Sequence, residues 1–500
     1  MTLPALLRRT LRAATAFLGL LIAGFPIHAA TSDHPNIVFI LCDDLGIDDL
    51  HCYGRPDHQT PHLDQLAREG MRFTSAYCAQ PICSPSRAGL LTGKTPARLH
   101  LTTYLPGRAD SPAQKLLHPI IRQEVDLSEK SMARYFKQAG YVTAAIGKWH
   151  IGGKGYGPEE HGFDVVLGGP NKTTPSATEG SKGEFGLTRS AEKFLEEHRD
   201  QPFLLYLAHY TPHIPYAATP EQTAAHKDAF EPVYAAVISS MDKAVGQLLA
   251  KLDALHLREN TIVVFTSDNG GLHVPEANHQ RVTHNTPYRA GKGYLYEGGL
   301  RIPLIVRWPG HLAAGVTVDT PIINTGWIPT LLELAGQPAP SGLDAGSFAS
   351  ILKDPATSPE QTFLWHFPHY NNQGGRPGGA VREGDWKLIE YYDAPDAPEL
   401  YLLTNDIGEK KNLAASYPGR VTAMRKTLAD WRTAIGAQSN TPNPDFDPAR
   451  YRKLYVDFDP SRFDPLHATS AEWAAVQDWR SGMNAAVQGR SSVKSKAPRR

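Results

Sequence analysis

The amino-acid sequence predicts an α/β protein, with a large, mostly parallel or mixed sheet sandwiched by helices. A smaller C-terminal antiparallel sheet subdomain with a closing helix is predicted to follow it. Over about the first 340 residues, short β-rich apolar runs alternate with helical patterns. After about residue 345, strand-like segments follow one another with little helix between them. The length of 500 residues also exceeds that of a single typical domain.

Each element of the large domain has a local signal. Strands are predicted where short apolar runs end in polar residues, at 36–42, 141–146, 203–208, 261–266 and 302–306. Apolar residues at helical spacing predict helices over 128–138, 189–198 and 230–255, and Gly140 is a stop signal for the first of them. This alternation is typical of a parallel sheet with helices on both faces.

The C-terminal part has a different pattern. Strand-like segments at 363–367, 380–391 and 400–403 precede a helical pattern over 420–435. We therefore divide the chain into a signal peptide at 1–30, a large α/β domain at 31–345, a C-terminal subdomain at 346–485 and a tail at 486–500. The tail is basic and has no large apolar residue from 491 onward, so we expect it to be disordered.

The N-terminus is typical of a secretory signal. Arg8, Arg9 and Arg12 precede an uncharged run over 13–27, and the small residues Ala29 and Ala30 follow. That run is shorter than the roughly 20 residues needed to span a bilayer. We therefore expect a periplasmic or extracellular mature protein with no stable membrane span; a retained N-terminal anchor is the alternative.

Charge and cysteine content exclude some classes of binding partner and scaffold. The chain has 51 basic and 51 acidic residues, so neither nucleic acid nor an anionic membrane is expected as a bulk partner. The four cysteines are too few for a disulfide-stapled scaffold. Cys42 ends an apolar run and is expected to be buried, whereas Cys52 with Cys78 is a possible disulfide.

The segment 83–93, Cys-Ser-Pro-Ser-Arg-Ala-Gly-Leu-Leu-Thr-Gly, is the most informative part of the sequence. Pro85 near the first helical position and Gly93 at the end predict a short helix that begins at Cys83. A side chain there faces backbone N–H groups and the positive end of the helix dipole. Arg87 lies one turn later on the same face and adds a positive charge. This pattern favours an anionic nucleophile or substrate.

Polar residues follow four of the predicted strands. Because ligands bind outside the carboxyl ends of strands in open α/β sheets, we expect these side chains to meet. They are Asp43 and Asp44, Lys148 and His150, His213, and Asp268 and Asn269. Four of them, the three aspartates and Asn269, offer only oxygen ligands, which hard divalent cations prefer, whereas zinc favours His and Cys.

The pattern Cys-x-Pro-Ser-Arg-x-x-x-Leu-Thr-Gly at 83–93 resembles the signature of the type I sulfatases, which belong to the alkaline-phosphatase-like superfamily. Three further blocks resemble family elements in the family's order: Gly-Lys-Trp-His at 147–150, Thr-Pro-His-Ile-Pro at 211–215, and the segment 291–303. The last contains Gly-Lys-Gly and Glu-Gly-Gly-Leu-Arg-Ile-Pro. The resemblance spans about residues 35–410, and no catalytic position that the family requires is missing.

The resemblance implies a chemistry for these residues. Cys83 is oxidised to formylglycine by a maturation enzyme, and one hydroxyl of its hydrate attacks the sulfur of a sulfate ester, forming a covalent sulfoenzyme. One Ca²⁺ is held by Asp43, Asp44, Asp268, Asn269 and the modified Cys83. Arg87, Lys148 and Lys292 hold the sulfate charge. His213, assisted by Lys292, protonates the leaving alcohol, and His150 deprotonates the second hydroxyl to expel sulfate.

Two other functions remain open from sequence. One is a phosphonate or phosphate diester hydrolase of the same superfamily, because phosphoryl and sulfuryl groups are both tetrahedral. The other is a catalytically silent carbohydrate-binding relative.

The substrate is indicated only weakly. A secretory signal and blocks similar to bacterial polysaccharide sulfatases, at 285–292 and 365–375, favour exo-acting removal of sulfate from a galactose or hexosamine unit. Seven residues in loops are candidates to rim the site and contact the sugar, although most aromatic residues in loops only cover the core. The candidates are Trp149, His284, Tyr288, His366, His369, Tyr370 and Arg376.

Overall fold

The structure is a computed structural model that describes residues 34–168, 176–277 and 279–487. The predicted signal peptide at 1–30 lies outside the described residues, and so does the predicted tail from 488 onward. No helix within the described ranges is both long enough and apolar enough to cross a membrane.

Fifteen strands are present in the described part of the chain. In chain order, β1–β15 are Asn36–Asp43, Met71–Tyr77, Leu116–Leu117, Val142–Gly147, Val165–Leu167, Phe203–Pro212, Thr261–Ser267, Arg301–Arg307, Val316–Val318, Ile322–Ile323, Thr362–Phe367, Gly378–Glu383, Trp386–Tyr391, Ala394–Leu402 and Thr441–Pro442. In the described part of the chain, α1–α13 are Pro61–Glu69, Cys83–Thr92, Pro96–Leu99, Met132–Gln138, Glu184–His198, Pro220–Ala225, Pro232–Ala254, Glu297–Leu300, Trp327–Leu334, Ala349–Lys353, Pro418–Ala434, Pro448–Tyr455 and Ser470–Ala485.

The large sheet has nine strands and is mixed, as predicted. Its order is β10-β2-β8-β7-β1-β6-β4-β5, and β9 pairs with β2. Strands β7, β1, β6, β4 and β5 run parallel to their neighbours in this group, whereas β8 is antiparallel to both β7 and β2. The five parallel strands therefore end at one edge of the sheet.

Helices cover both faces of this sheet. Side chains alternate along β1: Ile37, Phe39 and Leu41 enter one apolar core, and Val38, Ile40 and Cys42 enter the other. Apolar residues of α2, α4 and α9 belong to the first core, and those of α5 and α7 to the second. A strand buried on both faces explains why 36–42 is a continuous apolar run.

The smaller sheet is antiparallel with the order β11-β12-β13-β14, and α11 packs on one face of it. The predicted fold class is therefore confirmed. One detail was wrong: the predicted strand at 380–391 is a hairpin of β12 and β13, which turns at Gly384 with φ of 56°. The predicted helix at 128–138 also begins only at Met132, because Ser131 caps it by accepting from Arg134 N (3.2 Å).

The sequence analysis did not predict α12 and α13. The capping box of α13, in which Thr469 and Glu472 bond reciprocally, was a usable signal, and Val476, Trp479 and Met483 recur at helical spacing. All four cysteines are described and unpaired. The possible Cys52–Cys78 disulfide is thus absent, because Cys52 lies near α1 and Cys78 contacts Gly299 at the far end of β2.

A buried ionic network joins the two sheets. Lys387 of β13 lies 2.8 Å from Glu297 and 2.9 Å from Glu409, and all three side chains are fully buried. Glu297 also accepts from Arg301 Nε (2.6 Å) and Tyr77 OH (2.6 Å) in the large sheet. Burial raises the pKa of Glu297, but Lys387 and Arg301 outweigh it and hold the pKa well below its usual value. The Glu-Gly-Gly-x-Arg block at 297–301 therefore holds the smaller sheet against the large sheet.

Replacing Lys387 with Met is expected to lower the free energy of unfolding by about 3–5 kcal/mol, because two buried carboxylates would lose their shared cation. Urea denaturation measures the effect. The matched control is Lys426→Met, which removes an exposed i,i+4 pair with Asp430 and should change stability by less than about 0.5 kcal/mol. Equal stabilities of the two variants would contradict the docking role of Lys387.

Candidate active site

The residues predicted from strand ends lie together at the carboxyl edge of the parallel strands. Asp43 is the last residue of β1, and Asp44 follows it with φ of 65°. Lys148 follows β4, His213 follows β6, and Asp268 follows β7. Because β4, β6, β1 and β7 are neighbours in the sheet, their ends bring these side chains into one buried cluster.

Cys83 is the first residue of α2 and points at the acidic pair. Its Sγ lies 3.4 Å from Asp43 Oδ1 and 3.6 Å from Asp44 Oδ1. Gly93 ends the helix with φ of 67°, a conformation that favours glycine. Pro85 is the third helical residue, two positions later than its signal indicated. Burial raises the pKa of the Cys83 thiol well above its usual value, so the unmodified thiol is protonated at neutral pH.

Three cations pair with the three carboxylates. Lys148 Nζ donates to Asp43 Oδ2, Lys292 Nζ donates to Asp44 Oδ2 (2.6 Å), and Arg87 Nε donates to Asp268 Oδ2 (2.7 Å). All six side chains are buried, so removing either member of a pair would leave the other as an uncompensated buried charge.

The carboxyl groups differ in pKa. Burial raises the pKa of Asp43, but Lys148, His213 and Arg87 outweigh it and hold the pKa well below its usual value. Burial raises the pKa of Asp268 to about 6, with Asp43 and Asp44 adding to the rise that Arg87 opposes. The repulsion of Asp268 by Asp43 and Asp44 is what a bound cation would relieve.

Two histidines border the cluster. His213 Nε2 lies 3.6 Å from Asp44 Oδ2, the oxygen that also accepts from Lys292. His213 Nδ1 contacts Ile214 O. Burial, followed by Lys292, lowers the pKa of His213 to about 3, so this ring is neutral in the free site. His150 has its Nε2 3.3 Å from Leu105 O, and its buried Nδ1 has no hydrogen-bond partner among the residues that the structure describes. Burial and Lys148 lower the pKa of His150.

The oxygen donors of the cluster fit a hard divalent cation, and a thiol and an imidazole lie beside them. One ligand atom each from Asp43, Asp44, Cys83 and His213 lies within 4.8 Å of the others. Asn269 Nδ2 donates to Asp44 Oδ1 (2.8 Å), and the buried amide Oδ1 has no hydrogen-bond partner within the described ranges. Asp268 Oδ1 accepts from Asp44 N (3.1 Å), so it lies beside the same pair. A cation would satisfy the orphan amide oxygen and neutralise the carboxylates.

Sequence reasoning missed two residues that organise this site. Lys182 Nζ donates to Ile214 O (3.1 Å), the carbonyl that His213 also contacts, and burial lowers its pKa to about 8. Asn285 joins the loop after β7 to the Lys292 loop by bonding Gly271 O (3.0 Å) and Ala290 O (2.9 Å). Asn285 lies inside the block 285–292 that resembles polysaccharide sulfatases, whereas no motif of the sequence pointed to Lys182.

Most of the candidate rim residues are buried. Five have almost no exposed surface: Trp149, His284, His366, His369 and Tyr370. His366 belongs to strand β11 rather than to a loop. Of the other two, Tyr288 lies beside the Arg301 guanidinium, and Arg376 pairs with Asp393 (2.5 Å). Burial favours the interpretation that these side chains cover the core, and their contact with a sugar stays a prediction.

Known families match this chain over most of its length. Residues 35–337 match the sulfatase family, and residues 290–433 match the C-terminal region of N-sulphoglucosamine sulphohydrolase. The chain belongs to the sulfatase family. It is 33% identical to human arylsulfatase A over 462 residues, which cover 80% of this chain and 87% of that relative. It is therefore a sulfuric ester hydrolase.

Other sulfatases are similar in sequence or structure. N-acetylgalactosamine-6-sulfatase of Mus musculus is 36% identical over 357 residues, covering 65% of this chain and 66% of the relative. The crystal structure of Ps i-CgsB in complex with k-i-k-neocarrahexaose superposes with a TM-score of 0.67 at 27% identity, covering 90% of this sulfatase and 99% of that chain. Helices α12 and α13 lie beyond the residues that either family matches.

Proposed function

We propose that this sulfatase hydrolyses a sulfate ester of a carbohydrate, in an exo-acting manner, with a formylglycine made from Cys83 and one Ca²⁺. The observation that carries the chemistry is the closed cluster in which Cys83 faces two of three carboxylates, each paired with its own cation. The similarity to N-acetylgalactosamine-6-sulfatase and to the neocarrahexaose complex supports a sugar substrate.

Asp43, Asp44, Asp268 and Asn269, with the modified Cys83, would hold the cation. When present, Ca²⁺ supplies fixed positive charge at the sulfate, and hydrated formylglycine supplies the attacking hydroxyl. A dedicated maturation enzyme must convert Cys83. The basic and apolar N-terminal run at 1–30 supports export to the periplasm or the extracellular space.

The protein's own side chains have distinct roles in this proposal. Lys148, Lys292 and Arg87 surround the sulfate position and stabilise the charge that its oxygens carry in the transition state. His213 and Lys292 meet at Asp44 Oδ2, so Lys292 can deliver a proton that the neutral ring of His213 passes to the leaving oxygen. His150, with its unpartnered buried Nδ1, is the candidate base for expelling sulfate.

Substrate comparison tests the proposed function. Protein with confirmed formylglycine should hydrolyse 4-nitrophenyl sulfate much faster than bis(4-nitrophenyl) phosphate, carry one Ca²⁺ per chain, and release sulfate from the non-reducing end of sulfated oligosaccharides. Faster diester hydrolysis with Mn²⁺ or Zn²⁺ would support the phosphonate or phosphate diester alternative. No turnover by fully modified protein would support a silent carbohydrate-binding relative.

Replacing His213 with Ala is expected to lower the rate of hydrolysis of sugar sulfates by about 10²–10⁴-fold, the usual contribution of general acid catalysis. The rate of hydrolysis of 4-nitrophenyl sulfate should fall much less. The reason is that a sugar alkoxide needs a proton to leave, whereas nitrophenolate does not. Rates for a series of aryl and alkyl sulfates measure this dependence. The control is His150→Ala, which should slow both classes alike, and an effect of His213→Ala independent of the leaving group would contradict the assignment.

A further inference from the structure

Two buried arginines near the active site have guanidinium N–H groups without partners. Arg108 Nη1 donates to Asn371 O (3.0 Å), but within the described residues its Nε and Nη2 have no hydrogen-bond partner. Arg480 Nη1 donates to Asn372 O, and its Nε is likewise unpartnered. The two residues are only 6% and 8% exposed. Unused donors of a buried cation are costly, so this arrangement is suited to an anion that completes it.

These arginines are connected to the active site through hydrogen bonds of neighbouring loops. Asn371, which accepts from Arg108, donates from its Nδ2 to Gly293 O (2.5 Å), and Gly293 directly follows Lys292. The loop that carries Arg108 also reaches the site, because Leu105 N donates to Ser84 Oγ (3.1 Å) beside Cys83. The carbonyl oxygen of Leu105 lies 3.3 Å from His150 Nε2. Two loops therefore link the arginine cluster to the residues beside Cys83.

The charge of the cluster is not balanced. Glu276 Oε1 pairs with Arg480 Nη2 (3.4 Å), and Glu276 Oε2 accepts from Gln373 Nε2 (2.5 Å). Burial lowers the pKa of Arg480, and the charge of Arg108 adds to that effect while Glu276 opposes it. Arg480 is thus paired with Glu276, whereas no ion pair to the Arg108 guanidinium is found among the described residues. Gln373 Oε1 is also buried and has no hydrogen-bond partner in the described part of the chain.

The free atoms of Arg108 have the geometry of an oxyanion receptor. Nε and Nη2 form one side of the planar guanidinium, and this fork binds two oxygens of a carboxylate or a sulfate at once. Arg480 is supplied by α13, which lies beyond both family matches. Trp479 Nε1 anchors that helix by donating to Leu454 O (3.0 Å). Arg480 therefore lies outside the residues that carry the conserved chemistry of the family match, at 35–337.

We propose that Arg108, Arg480 and Gln373 form a specificity subsite for a second anionic group on the saccharide, either a second sulfate or a uronate carboxylate. This inference rests on the proposed carbohydrate sulfatase function. The anion binds the Arg108 fork, Arg480 adds charge, and Gln373 Oε1 accepts from a sugar hydroxyl. Because the fork is shielded from solvent in the free protein, binding includes a shift of the 104–108 loop, in which Pro106 is exposed.

Two measurements test the subsite. Crystals soaked in selenate should show anomalous density at Cys83 and a second peak at the Arg108 fork, and Arg108→Gln should lose only the second peak. For the sugar that the enzyme cleaves, kcat/KM is compared between a monosulfated unit, its disulfated form and its uronate-linked disaccharide. We expect the second anion to raise kcat/KM at least about tenfold in the wild type, the discrimination typical of one charged pair. Arg108→Gln and Arg480→Gln should abolish that gain.

The comparison of the two dianionic substrates distinguishes sulfate from carboxylate as the second group. Arg462→Gln is the matched control, because Arg462 is exposed and pairs only at the surface with Asp459. Arg108→Lys keeps the charge without the fork and should recover part of the gain. An unchanged substrate ratio in both Arg→Gln variants, or no second selenate peak in the wild type, would overturn the subsite. If the enzyme hydrolysed aryl sulfates but no sugar sulfate, the carbohydrate function would be contradicted. The selenate peak at Arg108 would still show whether the anion-binding subsite exists.

Discussion

Cys83→Ala is expected to lower sulfate ester hydrolysis by about 10⁴–10⁶-fold, the usual loss when a covalent nucleophile is removed. The physical reason is that Cys83 alone faces Asp43 and Asp44 from the start of α2. No other cysteine reaches this cluster: Cys42 contacts Met241, and Cys78 contacts Gly299. Initial rates with 4-nitrophenyl sulfate measure the change, with wild-type protein whose Cys83 is fully converted to formylglycine as the reference.

The peptide mass separates loss of the nucleophile from failure of maturation. In active wild-type protein, the peptide containing Cys83 should be about 18 Da lighter than the unmodified form, because an aldehyde oxygen replaces sulfur and two hydrogens are lost. Cys83→Ser should be inactive in a host whose maturation enzyme is specific for cysteine. Cys78→Ser is the matched control, since Cys78 is equally buried and lies outside the cluster. An active Cys83→Ser variant without formylglycine would refute the proposed nucleophile.

Asp44→Asn is expected to lose both bound Ca²⁺ and most activity, by about 10³-fold or more. A metal ion contributes several kcal/mol of charge stabilisation, and about 1.4 kcal/mol corresponds to a factor of ten in rate. Asp44 is the residue where the cluster converges, because Lys292, Asn269 and His213 all approach its carboxylate. Elemental analysis of the purified variant and steady-state kinetics measure the two effects.

The control for this variant is Asp242→Asn on α7. Asp242 is also buried, but its carboxylate accepts from the backbone N–H groups of His62 (3.2 Å) and Leu63 (2.8 Å) of α1 rather than pairing with a cation of the cluster. It should retain the metal and the activity. Treating the wild type with a chelator should reproduce the Asp44→Asn effect, and added Ca²⁺ should reverse it. Full metal content and activity in Asp44→Asn would show that the cation is held elsewhere.

The match between sequence and structure differs between parts of the molecule. The strand at 36–42 was predictable because a strand buried on both faces must be apolar throughout. The hairpin within 380–391 was not, because Gly384 at positive φ reverses a chain that otherwise has continuous β character. Helix α13 was overlooked although its capping box was visible in the sequence. The sequence did not decide which loop aromatics cover the core, because burial depends on neighbours distant in the chain.

The sequence by itself determined the family, the α/β class, and the convergence of polar residues after parallel strands, because local patterns and strand ends carry that information. Only the tertiary structure decided which charges pair, that Lys387 of one sheet is shared by Glu297 and Glu409, and that Arg108 and Arg480 donate to the adjacent carbonyl groups of Asn371 and Asn372. These pairings join residues separated by up to several hundred positions. Their geometry follows from how the sheets and helices pack, and no local pattern encodes it.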